Sequence, residues 1–300
     1  IMKHIFILVL FLSTISTYAQ DDLLAALEAE DSLSGGPSVI NSTWKSTYLI
    51  NFHTSETEKK GVLDFRIAHR FGNIDGLNGG GHTLYGLDQA SNIRFSFDYG
   101  ITDDFQIGIG RSKIEENIDG LMKYKFLKQN KNGMPLSLLG MASVAFTPKE
   151  DVLDYYSNVA HRFSYYNQII ISSKLNYWLS GLLNVSHFYR NLIVQSADLS
   201  LPRDVNGIFG IGLGIRTKLT RKLSLVGEYS YSFNELRNSE YQYSHPLSLG
   251  VEIETGGHVF HINLSNSAGL IGQDLINKGP DNWLDGEFKL GFTISRVFAI

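Results

Sequence analysis

The sequence has no cysteine among its 300 residues. Disulfides, thiolate metal sites and cysteine nucleophiles are excluded together, and no lipidated cysteine follows the N-terminal apolar stretch. A basic excess is also missing. The 26 Lys and Arg stand against 30 Asp and Glu, interspersed along the chain, so no basic face offers itself to nucleic acid. Beyond the N-terminal stretch no apolar run approaches the length of a membrane-crossing helix. A chain like this can span a membrane only as a barrel, because only helices and closed barrels satisfy the backbone in lipid.

What is present begins with an export pattern. Lys3 and His4 precede an apolar core, Ile5 to Leu12, that is too short to span a bilayer. A small-residue exit ending Thr17-Tyr18-Ala19 follows, so residues 1–19 are predicted to be a cleaved secretory signal peptide. Asp21 to Asp31, with Leu23, Leu24 and Leu27 among acids, predicts a short N-terminal helix. Residues 20–42 are expected to be a leader or a lumen plug, and residues 43–300 the barrel.

From residue 43 strand signals dominate. Ile93, Phe95, Phe97 and Tyr99 alternate with Arg94, Ser96 and Asp98. After Thr102-Asp103-Asp104 the pattern resumes as Phe105, Ile107 and Ile109 against Gln106, Gly108 and Gly110. Side chains in a strand point to opposite faces in turn, so this is a hairpin with one apolar and one polar face. Similar segments lie at 61–71, 117–127, 206–219, 222–233, 246–255, 258–266 and 286–298. Those at 135–147, 160–172 and 177–190 are harder to phase. Residues 43–53, with Trp44, Tyr48, Ile50 and Phe52, also alternate as a strand would.

Short turns (101–104, 173–176, 220–222, 256–257) alternate with long polar loops (72–90, 148–159, 191–205, 235–245, 267–285). Short turns on one rim and long loops on the other mark a transmembrane antiparallel up-and-down β-barrel. An even count gives twelve wall strands, with 43–53 as an extra N-terminal element lying in the lumen or at the rim beside residues 20–42; fourteen strands is the alternative.

Several runs resemble an uncharacterised family of outer-membrane β-barrel proteins from Gram-negative bacteria. They are His69-Arg70-Phe71-Gly72, Gly86-Leu87-Asp88-Gln89-Ala90, Asp98-Tyr99-Gly100-Ile101, Gly108-Ile109-Gly110-Arg111-Ser112, Lys123-Tyr124-Lys125 and Glu254-Thr255-Gly256-Gly257-His258-Val259-Phe260. The ending Gly291 to Phe298 fits as well. The resemblance implies fold and an outer-membrane location, and carries no activity to any residue.

Alternation assigns Asp64, Arg66, Arg70, Arg94, Asp98, Arg111, Lys123, Lys125, Arg216, Glu228, Glu252, Glu254 and Lys289 to the lumen, since Lys or Arg at the bilayer midplane costs roughly 2–4 kcal/mol. They line a selectivity-setting pore, or they form ion pairs filling a narrow barrel, early-strand bases meeting late-strand acids. Glycines at 108, 110, 210, 212, 214, 250 and 291 on the same face suggest something approaching the wall closely.

His258 and His261 fall on opposite faces and His69 on the lipid side, so no metal site is expected. Ser164 with His161, and Ser186 with His187, lack a nucleophile motif, and Gly79-Gly80-Gly81 is followed by no phosphate-loop Lys-Ser/Thr. No cofactor is expected. The expected function is a narrow passive channel for small solutes. The competing reading is a closed structural or partner-docking barrel meeting a periplasmic protein, and an outer-membrane barrel enzyme ranks third. The other expected partners are outer-membrane lipid and the barrel-insertion machinery.

Overall fold

Alternation in the sequence becomes alternation of environment in the computed structural model, which describes residues 43–76, 78–131, 133–152, 154–193, 203–237, 243–255, 257–277 and 281–300. Twelve antiparallel strands pair in sequence order and close into one barrel, β1 (Val62–Asn73) meeting β12 (Lys289–Ala299) from Val62↔Ala299 to Arg70↔Gly291. Between them run β2 (Ala90–Gly100), β3 (Phe105–Ser112), β4 (Ile118–Leu127), β5 (Ser137–Phe146) and β6 (Phe163–Lys174). Then follow β7 (Leu179–Arg190), β8 (Gly207–Lys218), β9 (Leu223–Phe233), β10 (Leu247–Thr255) and β11 (His258–Ser265). The count is twelve and not fourteen. Strands of eight to twelve residues match a tilted crossing of hydrocarbon.

Both β1 and β12 open onto one rim, called here the terminal rim; the loop rim is opposite. The short turns gather at the terminal rim and the long connections at the loop rim, as the sequence pattern predicts. Two connections depart from it: 113–117 is short at the loop rim, and 128–136 is longer at the terminal rim.

Residues 43–53 are not a strand. With β1 paired to β2 on one side and β12 on the other, the closed wall has no edge left to accept them. They fold instead, together with residues 54–58, as a loop inside the lumen, pinched by a Tyr48↔His53 bridge. Trp44, Tyr48, Leu49, Ile50 and Phe52 are all buried there, so their alternation reflects no sheet. The wall therefore starts at Val62 and not at residue 43. The predicted signal peptide, the predicted 21–31 helix and the rest of 20–42 lie outside the described residues. From the loop rim, residues 266–277 also turn inward and carry a short helix, α1 (Gly272–Asn277), with Leu275 and Ile276 buried.

The lumen is filled and two-sided. Its apolar half is one cluster: Trp44, Leu49, Ile50 and Phe52 of the plug, wall residues of β5–β9 including Leu139, Met141, Ile170 and Phe188, and Leu275 and Ile276 of α1. Its polar half is the inner face of β1–β4 and β10–β12, with Arg216 of β8 and Glu228 of β9 at its border. Outside, Phe95, Phe97, Ile107, Ile109, Phe209 and Leu213 stand exposed, as a lipid-facing band requires.

Neighbouring residues on β6 test this division. Ile170 is fully buried in the lumen and Ile169 is exposed outside. Ile170→Ala is expected to cost about 2–5 kcal/mol, the range for truncating a packed core side chain, and Ile169→Ala clearly less. Urea unfolding of barrels in lipid vesicles, followed by tryptophan fluorescence, reads the difference.

Candidate functional site in the lumen

Ten of the thirteen sequence-assigned lumen residues are buried on the inner face: Asp64, Arg66, Arg70, Arg94, Asp98, Lys123, Arg216, Glu228, Glu252 and Lys289. Lys125 and Glu254 also point inward, at the terminal-rim mouth. Arg111 does not. It shares the outer face of β3 with Ile107 and Ile109, close to the loop rim, and reaches Glu116 at 3.4 Å with both side chains about half exposed. Period-two counting from Phe105 puts every odd position of β3 outside, so Arg111 sits out by the same rule that places Gly108 and Gly110 inside.

The inner charges grip the plug. Glu228 on β9 accepts hydrogen bonds from three consecutive plug amides, Ile50 N (3.3 Å), Asn51 N (2.8 Å) and Phe52 N (3.1 Å). A carboxylate ringed by backbone donors is a charge-assisted anchor. Opposite, Lys123 Nζ donates to the carbonyls of Thr47 (3.0 Å) and Glu56 (3.1 Å). Arg66 Nη2 donates to Ser46 Oγ, Thr47 Oγ1 and Asp64 Oδ2, and its guanidinium lies 4.0 Å from the centre of the Tyr48 ring. Arg70 reaches Asn51 Oδ1 and the Ser267 carbonyl, both at 2.9 Å, tying the plug to the inward loop that carries α1.

Sequence reasoning paired early bases with late acids, and the ion pairs are more local than that. Arg66 meets Asp64 on the same strand, Arg94 on β2 meets Asp119 on β4, and Arg216 on β8 meets Glu252 on β10, which also contacts His261 at 3.3 Å. Lys289 pairs with Asp281 of the loop. At the mouth, plug residues complete the pairs: Lys125 with Glu56 and Lys45 with Glu254, each at 3.0 Å. Asp119, Glu56 and Glu58 were not among the sequence-assigned residues. Asp119 was findable, since it alternates inward with Leu121 and Lys123; Glu56 and Glu58 lie in irregular chain that alternation cannot phase.

The lumen glycines are explained by what rests on them. A Cβ on Gly212 would sit 2.7 Å from Phe52 of the plug and one on Gly214 2.8 Å from Leu49. Gly108 and Gly110 leave room for the Asp98 and Arg94 side chains, which lie flat against the wall. His258 faces outward and His261 inward, as do His187 and Ser186 respectively. Among the described residues no three His, Asp or Glu side chains converge as metal ligands.

Among the described residues, a cavity opens at each end of the lumen. One of about 370 Å³ opens at the terminal rim among Lys45, Glu56, Glu58, Lys125 and Glu254. The other, about 230 Å³, lies at the loop-rim end among Tyr156, Arg162, Arg190, Gln273 and Asp274. The cluster shared by the plug and α1 stands between them.

A protein family described as Membrane bound beta barrel domain (DUF5777) matches residues 44–298. No curated protein matches the sequence. Among solved structures, the chain is similar to the NanC porin (9% identity, TM-score 0.46, 79% of this chain and 99% of that one). It is also similar to the KdgM porin (7% identity, TM-score 0.43, 80% and 99%). A third likeness is to the COG4313 outer membrane channel from Pseudomonas putida F1 (13% identity, TM-score 0.47, 81% and 98%). Resemblance at this level is one of barrel shape and does not extend to solutes.

The anchor can be loosened without touching the wall. Glu228→Gln replaces a charge-assisted acceptor by a weaker neutral one. Amide exchange of Ile50, Asn51 and Phe52 should then quicken by about tenfold, the factor that 1.4 kcal/mol brings, with the β6 and β7 amides unchanged. Equal exchange in both proteins contradicts the assigned role.

Two plug groups should make docking pH-dependent in opposite senses. Burial, reinforced by the Asp64 carboxylate, pushes the Glu58 carboxyl up to about 7 from its ordinary 4.5. Docking then binds a proton, so it is favoured in acid and weakens as pH rises from 4.5 to 7. Burial, helped by Lys123, holds His53 well below its ordinary 6.5, so docking sheds a proton and weakens as pH falls below 6.5. The slopes oppose each other in the native chain. Acrylamide quenching of the buried Trp44, with Trp178 and Trp283 replaced by Phe, should rise toward acid in Glu58→Gln and toward neutral pH in His53→Gln.

Proposed function

This chain belongs to the family of membrane-bound β-barrel domains, and from that premise we propose that it works as a narrow passive channel for small solutes, closed at rest by its own residues 43–58. The observation that carries this reading is the manner of attachment. The plug joins the wall through side-chain contacts to Glu228, Lys123, Arg66 and Arg70, and no strand pairing binds it to the sheet. It is a removable element inside a wall that is complete without it. The cavities at the two rims are the mouths of the path proposed, which runs past the plug and α1.

The location proposed is the outer membrane of a Gram-negative bacterium, reached through cleavage of the N-terminal signal and insertion by barrel-assembly machinery. The terminal rim then faces the periplasm and the loop rim the exterior, since short turns are periplasmic in such barrels. A periplasmic protein meeting the terminal rim is part of the same proposal. The porin-like architecture supports a channel over an enzyme.

One observation favours a second reading, a permanently closed barrel. The apolar half of the lumen packs Leu49, Ile50 and Phe52 as a core would. Planar-bilayer recording separates the two. The full chain is expected to stay closed with rare openings, and Glu228→Gln combined with Lys123→Met to raise the open fraction by about tenfold or more, each lost charged contact being worth roughly 1.5–3 kcal/mol. If the double variant and a deletion of 43–58 insert as folded, heat-modifiable barrels and never conduct, the channel reading fails and the closed one stands.

A further inference from the structure

Every side-chain hydrogen bond that Glu228 makes among the described residues goes to the plug, and so does every one that Lys123 makes. Among the same residues neither of the two forms an ion pair. Arg66, Arg94 and Arg216 differ, since Asp64, Asp119 and Glu252 of the wall already pair with them. At the terminal-rim mouth the pattern recurs: Lys125 and Glu254 find their opposite charges on the plug. Glu228 and Glu254 stand on β9 and β10, and Lys123 and Lys125 on β4, which is five strands from β9 in one direction and seven in the other. With the plug withdrawn, the wall offers spare carboxylates on one side of the lumen and spare ammonium groups on the other.

The chemistry these groups select is that of a peptide, because a peptide is what they hold now. Glu228 collects three N–H donors, from Ile50, Asn51 and Phe52. A free ammonium group carries three such donors on one nitrogen and adds a positive charge. Lys123 donates to two carbonyl oxygens, those of Thr47 and Glu56, and a free carboxylate presents two oxygens and the opposite charge. We propose that the solute this barrel takes is a short zwitterionic peptide with apolar side chains, its ammonium on Glu228 and its carboxylate on Lys123, in the place that plug residues 47–52 occupy. Its length follows from the plug. Thr47 to Asn51 bridge the two groups as a bent segment, folded back by bonds from Leu49 N to Phe52 O (2.8 Å) and from Thr54 N to Thr47 O (3.0 Å). An extended peptide advances roughly 3.3–3.6 Å per residue, so it crosses with fewer residues than that segment uses. The apolar preference follows from Gly212 and Gly214, against which Phe52 and Leu49 now rest. A sugar brings neither charge, and a simple ion answers one side only.

The inference rests on the reading that the plug can leave the lumen, and its test keeps the two apart. Leu49→Ser with Phe52→Ser unpacks the plug and leaves the wall untouched. In planar bilayers the full chain with both changes should conduct. The tripeptide Leu-Gly-Phe should block that current at a concentration about tenfold or more below that of its N-acetylated, C-amidated form, the factor that one charged contact brings. Adding Glu228→Gln should erase the advantage of a free amine, and adding Lys123→Met that of a free carboxylate, each read with a peptide capped at the other end. Calorimetric titration of the same barrels in detergent reads the binding without any current, and heat-modifiability confirms their fold. On the native chain, Leu-Gly-Phe should quicken amide exchange of Ile50, Asn51 and Phe52, which it displaces, several-fold more than the capped peptide does. Free and capped peptides that act alike on both chains overturn the inference; if current still flows, the channel reading stands without it. Selective binding by a barrel that never conducts upholds the peptide site and removes the channel.

Discussion

Three plug amides converge on the carboxylate of Glu228, and the filling of the barrel is arranged around that contact. A closed sheet leaves no backbone edge for a thirteenth segment, so a chain entering the lumen must satisfy its own polar backbone by other means. Glu228 supplies acceptors on one side of the loop and Lys123 supplies donors on the other. With its peptide groups held between an anion on β9 and a cation on β4, the loop can turn Leu49 and Phe52 toward the small-residue wall of β8.

The division of the lumen into two halves follows from this. Burying a charge is expensive unless it is paired and hydrogen-bonded, and buried ion pairs often add little net stability. Stability therefore belongs to the apolar half, where Leu139, Ile170, Phe188 and the α1 residues pack on the plug. The charged half contributes specificity: Arg66, Arg70, Lys123 and Lys125 each find acceptors on the plug that its placement completes. Arg70 ties the two inserts together, because it holds Asn51 of the plug and the Ser267 carbonyl of the inward loop at once.

Much of the wall was legible in the sequence because alternation is unambiguous where one face is greasy and the other charged. The hairpin from Ile93 to Ile109 shows this, and twelve of the thirteen charged residues that alternation assigns to the lumen face inward. Legibility failed where both faces are apolar. On β5, β6 and β7 the inward Leu139, Met141, Tyr166, Ile170 and Phe188 blur the period, because a strand buried on both sides reads as a continuous run. The plug is legible in part: Trp44, Tyr48, Ile50 and Phe52 alternate as a strand would, but the even strand count leaves 43–53 no place in the wall and points it to the lumen or the rim. The glycines of β8 were the better signal, since they announced close approach to the wall although the segment suspected, residues 20–42, lies outside the described chain.

The whole arrangement depends on residues 43–58 occupying the lumen of the membrane-inserted barrel. The most direct measurement is a disulfide trap in this cysteine-free chain. Leu49→Cys and Gly214→Cys place two thiols where the Leu49 side chain now lies 2.8 Å from a Cβ built on Gly214. With the plug docked, the pair should oxidise to a disulfide in the membrane-inserted protein, leave neither thiol open to a large water-soluble maleimide, and be reversed by reductant. Two free thiols that both react with that maleimide would show the lumen empty and contradict the account.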